Sequence, residues 1–141
     1  MTREEIAVLI DRWQHARDRH DVAALADLYA QDCVVDSPLG AGTVRGRDNN
    51  VRVYRTFWEA FPDSTLAVDQ VLIDGDRVVE IGTLTGTDTG GLMGIKPSGK
   101  PFVIPIVWFF KVANNQIVYD RRIYDFTGLL VQIGVLKAKP A

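Results

Sequence analysis

The feature that most constrains this chain is a change of hydrophobic period at Pro62. Before it, apolar residues recur every three or four positions; after it they alternate, so helices come first and strands follow. Thr2 and Glu5 form a capping-box pattern, and Ile6, Leu9, Ile10 and Trp13 follow at helical spacing, which predicts a first helix of about 18 residues ending near His20. Asp21 is placed to cap a second, shorter helix with Val22, Leu25, Leu28 and Tyr29 on one face. A short strand over 33–37 stops at Pro38, with a turn through Gly40 and Gly42. Asp48 is placed to cap a third helix, in which Val51, Tyr54, Trp58 and Phe61 keep the period until Pro62, whose ring and missing N–H cannot continue it.

Beyond Pro62, "STLAVDQVLI" and "RVVEIGTLTGT" flank Asp74, Gly75 and Asp76, while "PFVIPIVWFFKV" and "QIVYDRRIYDF" flank Asn114 and Asn115. Each pair reads as a hairpin, because glycine and asparagine adopt left-handed turn conformations at little cost. Helices followed by strands predict an α+β fold with the helices packed on one face of a curved, mostly antiparallel sheet. At 141 residues and 47% apolar content the chain reads as one domain over 1–141 with a core of its own. The strands carry apolar residues in both alternation classes, Val107 and Phe109 against Ile106 and Trp108, so both sheet faces need cover and a homodimer is expected.

Several function classes fall away. Sixteen basic and 18 acidic residues leave a net charge of -2 with no run of Lys or Arg, which argues against nucleic acid as a partner. The longest apolar stretch, "FVIPIVWFF", is interrupted by proline and falls far short of the roughly 20 residues that span a bilayer, so no membrane partner is expected. "MTREEIAVLI" goes straight into an amphipathic pattern without a leader, which points to the cytoplasm. One cysteine, Cys33, with His15 and His20 cannot assemble a disulfide, zinc or haem site; no cofactor is expected, though carboxylates remain able to hold a harder ion.

Four stretches carry chemistry. "GIKPSGKP" nearly matches a phosphate-binding loop, but Pro101 stands where a hydroxyl would hold magnesium and no helix follows. The Gly-rich segment 88–100 reads instead as a flexible loop over a cavity mouth. Asp36, among apolar neighbours at a strand end, is either a desolvated acid with a raised pKa or a turn residue bonding its own backbone. Trp13, Tyr29, Tyr54, Trp58 and Trp108 either line a pocket or are plain core, and Tyr54 and Tyr124 are the better pocket candidates because a buried hydroxyl needs a polar partner. "YDRRIYDF" puts Asp120, Arg122 and Tyr124 on one strand face, as an internal pair, as solvent-facing charges or as the working groups of a cavity.

The element order, the "PSGK" loop before a long strand and above all "QIVYDRRIYDFTGLLVQIGVL" resemble the SnoaL-like polyketide cyclases of the nuclear transport factor 2-like superfamily. The resemblance covers nearly the whole chain. It implies a conical fold of three helices and a strongly bent sheet around a deep apolar pocket, with an outer face that often dimerises. Relatives include ketosteroid isomerases and limonene epoxide hydrolases, so the scaffold alone does not fix the chemistry. The cyclases keep an acid/base aspartate where this chain has Arg122, a histidine at Trp108, a glutamine at Ile106 and an asparagine near Asp36. An arginine that stays protonated cannot take a proton from the carbon beside a carbonyl.

Because the relatives face the pocket at position 122, the resemblance also places Asp120, Arg122 and Tyr124 inside. Asp36 or Asp120 is then the base, with Arg122 holding a developing enolate or a substrate carboxylate. Equally, Arg122 neutralises Asp36 and leaves a pocket that only binds. The reading is a cofactor-independent isomerase or cyclase for a small apolar carbonyl compound. Its alternatives are a non-catalytic binding protein of the same fold and a divergent hydroxylase-like member.

Overall fold

The computed structural model describes residues 1–39 and 42–137. Helix α1 (Arg3–Asp18) begins with the capping box that the sequence announces: Thr2 Oγ1 accepts from the Glu5 amide at 3.1 Å, and the Thr2 amide donates to Glu5 Oε2 at 2.7 Å. Asp21 caps α2 (Val22–Leu28) by accepting from the Ala24 amide at 3.0 Å. Strand β1 (Tyr29–Ser37) starts earlier than the apolar period suggests. Tyr29 continues the helical stripe, yet it pairs with Ile117 and belongs to the sheet. A strand β2 (Gly42–Arg45), not expected from sequence, pairs with the end of β1, and Gly40 lies outside the described residues.

Helix α3 (Arg47–Ala60) is preceded by Gly46 at φ +90°, so Asp48 is not its cap but sits inside the first turn, where a carboxylate favours the positive helix end. Strands β3 (Thr65–Asp74), β4 (Arg77–Thr87), β5 (Pro101–Ala113) and β6 (Gln116–Tyr124) form the two expected hairpins. Asn114 and Asn115 at φ 51° and 62° supply the two left-handed residues of the second turn. A short helix α4 (Phe126–Gln132), capped by Asp125, closes the described fold; at seven residues it is too brief to show a period.

The sheet runs β2-β1-β6-β5-β4-β3, antiparallel except for β1 against β6, and it stays open at β2 and β3. It is a curved, unclosed mixed sheet rather than a closed barrel. Register irregularities at Val68/Gln70 and Lys111/Val112 accompany the bending. The helices cover one face, where Trp13, Leu25, Leu28, Ile104, Phe110 and Ile117 are buried. Each such side chain removed from water contributes about 1.5 to 3 kcal/mol. On the opposite face Val103 and Ile123 remain more than half exposed. No helix among the described residues is long and apolar enough to cross a membrane.

The segment 88–100 corrects one expectation. It is anchored through Asp88 and Leu92 while residues 93–100 lie exposed, and none of its residues lines the main cavity. Asp88 is buried, and its carboxylate accepts from the Gly91 amide at 3.1 Å, the Ser98 amide at 3.0 Å and the Ser98 hydroxyl at 3.1 Å. Leu92 is buried beneath the loop, and the Gly90 amide bonds Ala60 O at the end of α3. A Cβ on Gly90 would stand 1.7 Å from Glu59 O, so only glycine allows this approach. Asp88→Ala is expected to cost about 1 to 3 kcal/mol in urea melts. Amide exchange at residues 90–99 should accelerate while the amides of β5 and β6 keep their protection.

Candidate functional site

Alternation along β6 sends Asp120, Arg122 and Tyr124 inward, opposite Phe110, Trp108 and Ile106 of β5. Asp120 is fully buried and Arg122 nearly so. Arg122 Nη2 donates to Asp120 Oδ2 at 2.9 Å and Nε to Oδ1 at 3.3 Å. Helix α3 completes the cradle from two positions one turn apart. Asn50 Oδ1 accepts from Arg122 Nη2 at 2.8 Å, and the guanidinium carbon lies 4.3 Å from the centre of the Tyr54 ring. Burial alone would lower the Arg122 pKa, but the charge of Asp120 and the two phenols more than reverse this, so the guanidinium stays protonated.

Behind the pair the hydrogen bonds have a direction. Tyr29 gives its single hydroxyl proton to Asp120 Oδ2 at 2.6 Å. The 2.8 Å contact between Tyr29 and Tyr54 is therefore a bond from the Tyr54 hydroxyl to the Tyr29 oxygen. Trp13 Nε1 lies 3.2 Å from both oxygens. Burial, followed by the charge of Asp120, holds Tyr29 well above the usual phenol range, and burial also raises Tyr54.

A cavity of about 40 Å³ opens in front of Arg122 and Tyr54. Arg122, Tyr54, Tyr124, Arg17, Ser37 and Trp108 form its polar lining, and Val53, Phe57, Trp58, Leu84 and Ile106 are among its apolar walls. At roughly 10–15 Å³ per water it holds about three waters. The three positions that the cyclase resemblance picks out on β5 and β6, Ile106, Trp108 and Arg122, all line it.

The structure brings Arg122, Tyr54, Trp58, Trp108 and Tyr124 together as cavity lining and sets Asp120 directly behind Arg122. It does not bring in Asp36. Val35 and Ser37 point inward, so Asp36 faces the other side of the sheet, where it accepts from the Thr43 hydroxyl at 2.7 Å and from the Tyr119 hydroxyl. The Tyr119 bond, then that of Thr43, holds its carboxyl below the usual range. The reading of Asp36 as a desolvated base is corrected on both counts, and neither bond is to its own backbone.

Sequence reasoning missed Asn50, Arg17 and Glu80. Arg17 was findable, since it extends the stripe of Ile6, Ile10 and Trp13 by four residues. It stacks on the Trp13 ring at 4.6 Å, and its Nη1 stands 3.6 Å from Oε2 of the fully buried Glu80, which also accepts from Gln14 Nε2. Among the described residues no group of three or more His, Cys, Asp or Glu is arranged to hold a metal ion.

The sequence profile of the SnoaL-like polyketide cyclases matches residues 7–133. The chain belongs to this family. Among solved structures it is similar to AclR from Streptomyces galilaeus, provisionally named a hydroxylase, at 25% identity and TM-score 0.84 over 99% of this chain and 87% of that one. It is also similar to IdmH from Streptomyces antibioticus, provisionally named a polyketide cyclase, at 28% identity and TM-score 0.77 over 91% and 97% of the two chains. A SnoaL-like protein from Jannaschia shares the fold at 22% identity and TM-score 0.83, over 97% of this chain and 94% of that one. No curated protein sequence matches this SnoaL-like chain.

Two predictions follow from the buried charges. Arg122→Ala leaves Asp120 buried without its cation, at an expected cost of about 3 to 5 kcal/mol in denaturant melts. The double change Arg122→Met with Asp120→Asn should cost less than the alanine variant alone. For Glu80, burial raises the carboxyl above its usual range despite the pull of Arg17 and Gln14. An unfolded glutamate ionises near pH 4.3, so above that value the folded protein holds the extra proton, and this contribution to stability is lost as pH rises through the folded pKa. Glu80→Gln should therefore gain stability relative to the wild type as pH rises above about 4.3, measured by thermal melts across that range.

Proposed function

We propose that this SnoaL-like protein catalyses proton transfer in a small, largely apolar substrate bearing a carbonyl or acidic hydroxyl, as an isomerase or cyclase does. The observation that carries the reading is the directed chain from Tyr54 through Tyr29 to Asp120, with Arg122 bonded to Asp120 and also lining the cavity. Tyr54 Oη accepts one N–H from Trp13 and keeps a second lone pair for the substrate. As that oxygen takes the substrate proton, its own proton passes to Tyr29 and the Tyr29 proton passes to Asp120.

Asp120 ends neutral and the negative charge ends on the substrate oxygen. Both places lie beside the same guanidinium, so the charge moves without leaving its counterion. The apolar walls lower the local dielectric and strengthen that interaction. Reversal of the three transfers returns the proton to a second carbon or oxygen of the substrate. A ring-sized ligand needs the half-buried Phe57 and Trp58 to part, since the closed cavity is too small for it.

A second reading, a pocket that binds without turnover, is favoured by the closure of Asp120 between Tyr29 and Arg122. The probe that separates the two is 4-nitrophenol, which absorbs visible light only as its anion. The relay predicts that bound nitrophenol shows the anion band at a pH where the free compound does not, and that Tyr29→Phe abolishes the band while binding persists. Binding to the wild type without the band, or a band that survives Tyr29→Phe, overturns the relay and leaves the binder. Absence of binding by any single-ring phenol overturns both.

A further inference from the structure

Two N–H donors and one hydroxyl, Ser37 Oγ, stand on the cavity wall without a partner in the protein. Trp108 Nε1 and Arg17 Nη1 are buried and make no hydrogen bond, although each residue is only 5% exposed and each lines the cavity. Buried N–H groups are seldom left unpaired, because each forfeits its bond to water without replacement. The two residues are also neighbours, with the Arg17 guanidinium 5.7 Å from the Trp108 ring centre. They come from different elements, α1 and β5, so the juxtaposition is a product of the fold.

The charge around Arg17 decides what these donors suit. Nη2 is bonded to Asp18 Oδ1 at 3.1 Å, and Nη1 stands 3.6 Å from Glu80 Oε2, too far for a hydrogen bond but close enough to balance the charge. A ligand anion here would meet the Glu80 carboxylate. An uncharged oxygen would gain both donors without that repulsion. We propose that Arg17 and Trp108 form a second binding subsite, for a neutral carbonyl oxygen, in a ligand whose acidic oxygen lies at Arg122 and Tyr54. This rests on the proposed function only for the occupant of the Arg122 end. The implied ligand is a ring system with an acidic hydroxyl on one side and an uncharged carbonyl on the other.

The test compares 3- and 4-hydroxyacetophenone with 3- and 4-ethylphenol, which have the same shape without the acceptor, and with the corresponding hydroxybenzoates. Affinities are read by calorimetry on the intact protein. One ketone isomer should bind roughly tenfold or more tighter than its ethyl counterpart, the worth of a hydrogen bond to a charged donor. The hydroxybenzoates should show no such gain.

Arg17→Met combined with Glu80→Gln removes both buried charges together, so no carboxylate is stranded, and it should bring the ketone-to-ethyl affinity ratio down to about one. Trp108→Phe, which keeps a ring but loses the N–H, should lower the ratio in part. Equal affinities for ketone and ethyl compounds in the wild type, a ratio that survives the double variant, or a preference for the carboxylate would each overturn the subsite. A ketone advantage without any nitrophenol anion band would support the subsite and sink the relay alone.

Discussion

The ion pair between Asp120 and Arg122 is the constraint on which the rest of the structure depends. Two charges taken out of water are tolerated only when nearly every donor and acceptor around them is filled. That requirement draws on the whole fold: Asn50 and Tyr54 from α3, Tyr29 from the start of β1 and, one bond further, Trp13 from α1. It also explains why β6 lies inside the sheet, between β1 and β5, rather than at an edge. An edge strand would bring water to the pair and make the converging helices unnecessary.

The second buried pair, Arg17 with Glu80, is built to a looser standard. Its closest approach of 3.6 Å leaves both facing atoms without a hydrogen bond, whereas Arg122 makes three. The cavity lies between these two cations and presents donors to its contents, with both carboxylates held behind. Such a lining favours oxygen acceptors and developing negative charge over cations or hydrogen-bond donors. This is a chemical selection made by the chain's own residues, independent of what its relatives bind.

The negative charge nearest the cavity sits behind its wall rather than on it. Asp120 stands two residues before Arg122 on the same face of the same strand. Two residues along a strand is about 6.6 Å, enough to take a carboxylate from the cavity wall to the layer behind it. Tyr29 and Tyr54 bridge that displacement with hydroxyl groups.

The helical stripes before Pro62, the two hairpins and the common face of Asp120, Arg122 and Tyr124 are written in local periodicity, and there the sequence and structure agree. Local spacing says which residues share a face, but not what lies across from it. Asp36 shows the difference: its neighbours are apolar, yet the parallel pairing of β1 with β6 turns Val35 and Ser37 inward and puts Asp36 on the other side of the sheet. The segment 88–100 has the glycines of a mobile loop, but Asp88 and the close approach of Gly90 to α3 fix it in place. Sequence alone determined the three helices before Pro62, the two hairpins and which charges share a strand face, because these follow from spacing over a few residues. Tertiary structure decided that Tyr29, Asn50 and Tyr54 would surround those charges and that Arg17 would reach the cavity, because contacts across dozens of residues depend on how helices and sheet dock.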